Sequence, residues 1–208
     1  MQNANAEPVK AKKYFDTRKL VFTALLAAVA SVLFFFSFSI PLVPSFLTFD
    51  FSDMPAVLAS LTMGPISGVF VSLVKCLINL ASSSTGGVGE LSNFIISCFL
   101  IIPAGLIGRK INTIKGAIIG CVIGSVLMAG LSIITNYFFV YPIYANLMPI
   151  DVIIGMYKAI NPNVDGLLAC ILMFNVPFTL TKALVASAIC LPLYKVLRPV
   201  FNSYYRNN

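Results

Sequence analysis

The sequence predicts an all-α integral membrane protein, a bundle of six transmembrane helices with both termini in the cytoplasm. Of its 208 residues, 59% are hydrophobic and only 10% are charged, whereas soluble domains carry about 25% charged residues. The apolar residues fall in runs long enough to cross a bilayer, separated by polar, glycine or proline segments. The basic residues are concentrated in the segments that would face one side of the membrane.

Six apolar runs predict the spans, at about residues 20–40, 54–63, 66–82, 91–107, 116–140 and 167–197. Proline lacks the N–H that a continuing helix needs, so Pro41 and Pro44 end the first run. Gly64 and Pro65 separate the short second run from the third by a tight turn. Pro177 predicts a kink in the sixth run, which neighbouring helices can tolerate.

The charges set the predicted orientation in the cell membrane. Eleven of the fourteen basic residues lie at the N-terminus, between spans four and five, or at the C-terminus, and short cytoplasmic segments are enriched in such residues. Residues 1–19 are then a basic cytoplasmic tail, residues 20–198 a six-helix transmembrane domain, and residues 199–208 a second cytoplasmic tail. Because these charges lie close to membrane ends, they do not indicate a nucleic-acid partner.

Chemically useful side chains collect in the loops predicted to lie outside the cell. These are Asp50, Asp53, Thr85, Gly86, Gly87, Gly89 and Glu90, with Phe46, Phe49 and Phe51 nearby. Glycines let the backbone approach a ligand, carboxylates accept hydrogen bonds from hydroxyl groups, and the rings offer aromatic faces. The set suits a flat, partly aromatic, hydroxyl-bearing small molecule. The alternative is that these are ordinary turn residues of surface loops.

Two polar residues lie inside apolar spans. Lys182 is near the middle of span six, where a charge is costly and therefore indicates function. Asn136, near the outer end of span five, offers a donor and an acceptor that match an amide or imide edge. The alternative for Lys182 is a structural ion pair with Glu90, Asp50 or Asp53. For Lys75 in span three, the structural ion pair is the preferred interpretation.

Small residues recur at four-residue spacing in two spans, which lets helix backbones approach closely. Gly116, Gly120 and Gly124 predict internal packing of span five. Ala24 and Ala28 in span one are equally consistent with internal packing and with docking against another membrane subunit.

The residues needed for most enzyme chemistry are missing from the sequence. It contains no histidine, no phosphate-binding loop of the G-x-x-x-x-G-K-[ST] type and no nucleophile elbow, and its cysteines lack metal-ligand spacing. We therefore predict neither an enzyme nor a metal site. The two halves show no obvious repeat of the kind that many secondary transporters have.

Four stretches resemble the riboflavin-specific substrate-binding (S) components of energy-coupling-factor (ECF) vitamin importers. They are FLTFDFSDMP at 46–55, TGGVGELSNF at 85–94, NYF at 136–138 and TKA at 181–183. The resemblance runs from about residue 20 to the end of span six. It implies six helices and a vitamin held near the outer face. The implied ligand contacts are Leu47, Phe49, Asp50, Thr85, Gly86, Gly87, Val88, Glu90, Asn136 and Lys182, with Asn136 and Lys182 at the polar edge of the flavin ring.

The resemblance also implies partners. The family relies on a module of one membrane coupling protein and two ATPases, and Ala24 and Ala28 resemble its docking face for the coupling protein. Riboflavin is then cargo rather than cofactor, and no cofactor is expected. Three alternatives stay open: an S component for another vitamin, a stand-alone secondary transporter driven by an ion gradient, and a small membrane enzyme acting on lipid.

Overall fold

The computed structural model describes residues 17–41, 43–83, 86–146 and 148–206. Most of the predicted N-terminal tail, and Thr85, lie outside the described residues. The elements are, in chain order, α1 Thr17–Phe35, β1 Phe38–Ser39, β2 Thr48–Phe49, α2 Asp53–Met63, α3 Pro65–Leu80, α4 Val88–Ile111, α5 Ile114–Thr135, α6 Tyr141–Tyr144, α7 Ile150–Lys158, α8 Leu167–Cys170 and α9 Val176–Arg206. Single π-helical turns join α5 to α6 (Asn136–Val140) and α8 to α9 (Ile171–Asn175).

Four stretches within the described residues are long and apolar enough to cross a membrane: Thr17–Phe35, Val88–Ile111, Ile114–Tyr144 and Leu167–Pro199. The other two predicted spans correspond to shorter helices. Helix α3 has 16 residues, and α2 has 11, of which all but Met54 are buried. Helix α2 packs against α1, α3, α4 and α9, so it forms the centre of the bundle. The fold is all-α, apart from one short antiparallel strand pair.

The turn between α2 and α3 lies where the sequence predicts it. Gly64 has a φ of 110°, a conformation that L side chains rarely adopt. Pro65 follows at the start of α3, where its missing N–H has no helical partner to lose. The backbone N–H of Gly64 donates to the carbonyl of Ser60 at 3.0 Å and closes α2.

The glycine stripe of span five packs inside the bundle, as predicted. A Cβ on Gly124 would lie 2.6 Å from the carbonyl oxygen of Leu100, and one on Gly120 would lie 2.9 Å from that of Ala104. Glycine therefore lets α5 approach α4 backbone to backbone. Ala24 and Ala28 of α1 are both exposed, whereas Ala27 and Ala30 pack into the core. The alanine stripe thus faces outward.

Several boundaries differ from the prediction. Helix α1 ends at Phe35, five residues before the predicted limit, and the chain then pairs Phe38 with Phe49 and Ser39 with Thr48. The segment predicted as a loop between spans five and six contains the helices α6 and α7. The last helix continues to Arg206, through the segment predicted as a tail. A π-helical turn, Ile171–Asn175, directly precedes the expected kink at Pro177, and such turns commonly mark functional sites.

Candidate ligand-binding site

A cavity of about 390 Å³ opens at one end of the bundle. It lies where α1, α3 and α5 end and where α4 and α9 begin, with the loop between α1 and α2 (the first loop) beside it. Aromatic rings and polar groups line it together. The principal lining residues are Phe34, Phe46, Leu47, Thr48, Asn79, Glu90, Asn93, Asn136, Tyr141, Tyr144, Asn175, Phe178, Thr179 and Lys182. Its size is within the range of small-molecule sites, about 300–1,000 Å³.

Two asparagines reach the cavity from the two π-helical turns. Asn136 is the first residue of one turn, and Asn175 is the last residue of the other. Each extra backbone residue in such a turn shifts the side chains that follow it around the helix. Both amide groups thus join a wall that mixes aromatic and polar side chains.

A buried hydrogen-bonded triad fixes one of these amides. The Tyr157 hydroxyl donates to Asn175 Oδ1 at 2.6 Å, Asn175 Nδ2 donates to the Tyr141 hydroxyl at 2.8 Å, and the two hydroxyls lie 2.5 Å apart. Burial raises the pKa of Tyr157 far above its usual range, so its hydroxyl stays protonated as a donor. Tyr157 belongs to α7, and the triad therefore connects the segment between α6 and α8 to the cavity wall.

Lys182 takes part in a buried network of four charges. Its Nζ lies 2.8 Å from Asp50 Oδ2 and 3.9 Å from Asp53 Oδ2. Lys75 Nζ lies 2.5 Å from Asp53 Oδ1 and donates to the Ser52 hydroxyl at 2.8 Å. That hydroxyl in turn donates to Asp50. The ion pair preferred for Lys75 is thus present, with Asp53, and Lys182 pairs with Asp50, one of the three carboxylates considered for it. A ligand contact of Lys182 stays a prediction.

The network is electrically neutral, with two ammonium groups and two carboxylates. Ser97 Oγ donates to Asp53 Oδ1 at 2.6 Å, whereas Asp53 Oδ2 is buried with no hydrogen-bond partner among the described residues. Asp50 lies on the first loop, so its pair with Lys182 connects that loop to α9. Buried ion pairs contribute little net stability when complete, but removing one partner is costly.

Local hydrogen bonds hold the described part of the glycine-rich loop beside the cavity. Ser83 Oγ donates to Glu90 Oε2 at 2.7 Å and accepts from the backbone N–H of Gly87 at 2.9 Å. Gly87 has a φ of 89°, and a Cβ on it would lie 2.8 Å from Leu80 Cδ1. Glycine is therefore favoured here by backbone conformation, whereas the terminal methyl group of Leu80 can move aside for a larger residue.

The structure brings part of the predicted site together. Leu47, Glu90, Asn136 and Lys182 line the cavity. Phe49 and Asp50 are buried behind it, and Gly86, Gly87 and Val88 lie beside its lining without being part of it. Phe49 instead packs edge-to-face against Phe178, with the ring centroids 6.0 Å apart. Their direct contact with a ligand stays a prediction.

Sequence reasoning did not identify other lining residues, notably Tyr141, Asn175 and Thr179. Asn175, like Asn136, is a lone amide within an apolar run. The same reasoning could therefore have identified it as a candidate ligand contact. Tyr141 and Thr179 carried no such signal, because both residue types are common at membrane interfaces and in helices.

The family model "ECF transporter, substrate-specific component" matches residues 18–194. The chain belongs to this family. As an S component it is a multi-pass membrane protein, in agreement with its four apolar stretches of spanning length among the described residues.

Curated relatives extend the family match. This S component is 34% identical over 182 residues to a Staphylococcus aureus protein named riboflavin transporter RibU, covering 88% of this chain and 91% of the relative. It is 31% identical to the Streptococcus thermophilus protein of the same name, and the match covers 89% of this chain and 85% of the relative. A Bacillus subtilis protein named riboflavin transporter FmnP is 35% identical over 130 residues, 61% of this chain and 68% of the relative. All three relatives are transporters by name.

Solved structures have the same fold. The S component of a bacterial ECF transporter superposes with a TM-score of 0.70 at 33% identity, covering 88% of this chain and 96% of the other. The Listeria monocytogenes protein ThiT superposes with a TM-score of 0.62 at 18% identity, and the match covers 88% of this chain and 97% of the other. The second likeness concerns the fold alone.

Proposed function

We propose that this chain is the riboflavin-binding S component of an ECF importer. It captures riboflavin from outside the cell and delivers it across the membrane with a separate ATP-driven module. The family match and the three relatives named riboflavin transporters support the proposal. The chain performs no chemistry on the vitamin, and riboflavin is a transported ligand rather than a cofactor.

The observation that carries the proposal is the pairing of aromatic walls with a polar edge in one cavity. Phe46, Tyr144 and Phe178 offer ring faces and edges, and Asn136 and Lys182 offer hydrogen-bonding groups. A flat heteroaromatic ring system with one polar edge needs both: stacking or edge contacts for its faces and directed partners for its carbonyl and imide groups. Riboflavin has this chemistry.

Fluorescence titration tests the ligand directly. Riboflavin added to detergent-purified protein is expected to bind at about one per chain, with strong quenching of flavin fluorescence, because the site is enclosed and aromatic. Calorimetric titrations with thiamine and folate are the controls. If either control vitamin releases or absorbs heat on binding and riboflavin does not, the chain is an S component for another vitamin.

Substitutions at Lys182 and Asn136 test the site. Asn136→Ala is expected to weaken riboflavin binding by about 1–3 kcal/mol, the usual cost of stranding a buried polar partner. Lys182→Met alone also strands Asp50, so the informative variant is Lys182→Met with Asp50→Asn, in which neither charge is left unpaired. If this double variant folds and binds riboflavin like the wild type, Lys182 is a structural residue and not a ligand contact.

Six spans with both termini in the cytoplasm complete the proposed topology. Helices α2 and α3 are then the two short spans, and the basic Arg109–Lys115 connection faces the cytoplasm. Single cysteines at Lys115 and Asn163 in a cysteine-free background test it with a membrane-impermeant thiol reagent. We expect labelling of intact cells at position 163 and none at position 115 until the membrane is opened. The reverse pattern would invert the topology.

The proposed partner is the family's coupling module, a membrane coupling protein with two ATPases, docked on Ala24 and Ala28. Both alanines are exposed on α1, one helical turn apart, where bulky residues would hold a partner helix away. Ala24→Trp with Ala28→Trp is expected to bind riboflavin normally, to lose co-purification with the module and to abolish uptake. Full uptake by this variant, or robust uptake by the wild type reconstituted alone, would favour a secondary transporter.

A further inference from the structure

The ligand cavity has polar groups at two depths. Lys182 lies seven residues after Asn175, and both side chains line the cavity. Seven residues make about two helical turns, so the two side chains share one face of the helix, about 10 Å apart along its axis. Asn175 directly precedes α9 and is the one nearer to the end of the bundle where the cavity opens. The proposed function assigns the polar edge of the flavin ring to the deeper group, and the outer group has no assigned role.

The outer group is the triad of Tyr141, Tyr157 and Asn175. An amide oxygen only accepts, so the Tyr157 hydroxyl must donate to Asn175 Oδ1, at 2.6 Å. Because the Tyr157 proton is then used, the Tyr141 hydroxyl donates to Tyr157, and it accepts from Asn175 Nδ2 at 2.8 Å. The three hydrogen bonds close a ring, and rotating the amide alone would break two of them.

The ring leaves part of the Asn175 amide unused. One Nδ2 hydrogen and one lone pair of Oδ1 have no partner among the described residues. Asn175 and Tyr141 line the cavity, whereas Tyr157 is fully buried outside its lining. A hydroxyl group both donates and accepts, so hydroxyls on adjacent carbons of a ligand suit both positions of the amide. A carbonyl group, which only accepts, suits one of them.

We propose that Asn175 binds the hydroxyl-bearing chain of the ligand and that Tyr157 is a positioning residue that acts through the triad. None of the three triad residues is among the contacts that the family resemblance implies. The inference rests on the proposed function, because riboflavin carries a ribityl chain with several hydroxyls beside its flat ring. The ring edge at Lys182 and the chain at Asn175 then occupy the two polar depths of one cavity. Recognition of the chain depends on α7, the helix of Tyr157, although Tyr157 does not itself line the cavity.

Two flavins separate the chain from the ring. Riboflavin and lumiflavin share the isoalloxazine ring, but lumiflavin has a methyl group in place of the ribityl chain. Their affinities for the full-length protein in detergent are measured by fluorescence quenching, and for lumiflavin also by competition with riboflavin. The test variant, called the apolar-triad variant, is Tyr141→Phe with Tyr157→Phe and Asn175→Leu. It removes the hydrogen-bonding groups of the triad together, so that none of them is left stranded.

Two control variants accompany it. Asn136→Ala removes the other asparagine that lines the cavity, which the proposed function assigns to the ring edge. Tyr137→Phe removes a hydroxyl from an exposed ring. We expect Asn136→Ala to weaken the binding of both flavins and Tyr137→Phe to weaken neither.

The apolar-triad variant is expected to lose roughly five- to a hundredfold in riboflavin affinity, because hydroxyls of the ligand would be buried without partners. Its lumiflavin affinity should stay within about twofold of the wild type, as for a site that the ligand does not contact. Tyr157→Phe alone should also weaken riboflavin binding more than lumiflavin binding, since Asn175 keeps its N–H groups but loses the bond that orients them. A triad with a purely structural role would instead change the two affinities in parallel.

Equal losses for the two flavins in the apolar-triad variant, or no loss for either, would overturn the role of Asn175 and leave the proposed function standing. An unchanged ratio of the two affinities in Tyr157→Phe would overturn positioning by Tyr157, and this single variant decides the matter if the apolar-triad variant does not fold. A wild type that binds neither flavin would overturn the proposed function and this inference with it.

Discussion

Removing Lys75 isolates the energetics of the buried charge network. The ammonium group of Lys75 and the carboxylate of Asp53 are both fully buried. In Lys75→Met, Asp53 keeps the Ser97 hydroxyl as a hydrogen-bond donor and Lys182 at 3.9 Å as its nearest described ion-pair partner. Breaking a buried pair by removing one member costs about 3–5 kcal/mol, because an uncompensated charge is left in a medium of low polarity.

Thermal unfolding in mild detergent measures the effect. One kcal/mol corresponds to roughly 2–4 °C for a chain of this size, so Lys75→Met should lower the melting temperature by about 6–20 °C. The double variant Lys75→Met with Asp53→Asn removes both charges, and replacing a complete buried pair is often close to neutral. It should therefore recover most of the loss. If single and double variants melt at the same reduced temperature, packing of the lysine stem and not charge compensation would account for its burial.

Three further predictions follow from contacts inside the bundle. Gly124→Ala should destabilise the protein by about 1–3 kcal/mol, because the new Cβ would lie 2.6 Å from the Leu100 carbonyl oxygen. The control is Gly130→Ala, whose Cβ would have no neighbour within 4 Å. In the same melting assay this control should be neutral or stabilising by up to about 1 kcal/mol. Tyr157→Phe should destabilise the protein by about 1–3 kcal/mol, because it removes the hydroxyl that donates to Asn175. Tyr137→Phe, which changes an exposed ring, is the control. Equal melting temperatures of the two variants would contradict the role of the triad. Gly64→Ala should reduce the yield of folded protein on gel filtration, since its φ of 110° is strained for alanine and the new Cβ would overlap Arg109; a wild-type profile would argue against that strain.

Local sequence features predicted the helices better than they predicted the site. Apolar runs, Gly64 and Pro65 placed the spans and the α2–α3 turn, because both signals act over a few residues. The partner of Lys182 lies 132 residues away, and three carboxylates, those of Asp50, Asp53 and Glu90, were equally plausible from sequence. Only the packing of α2 against α9 selects Asp50 over Glu90.

The loops predicted to lie outside the cell were the least predictable part of the fold. Helix α7 has nine residues and was predicted as loop, because it is too short to span a membrane and its stability comes from packing. The contacts that hold it, Tyr157 to Asn175 and to Tyr141, join segments separated by 18 and 16 residues. The two π-helical turns that contain Asn136 and Asn175 could not be predicted from hydrophobic periodicity. One extra backbone residue shifts the pattern without interrupting the apolar run.

The enclosure of α2 constrains how the protein is made. Its 11 residues reach about 16 Å, roughly half of the hydrocarbon thickness, and its first turn carries Asp53. In the proposed six-span topology, a segment so short and charged does not enter the bilayer as an independent stop-transfer helix and is inserted as a hairpin with α3. Lys75 then accompanies Asp53 as a neutral pair. Helix α9, which covers α2 in the finished bundle, is synthesised last. Until then the side of α2 that packs against α9 stays uncovered, and nascent chains truncated before α9 should be prime substrates for membrane quality-control proteases.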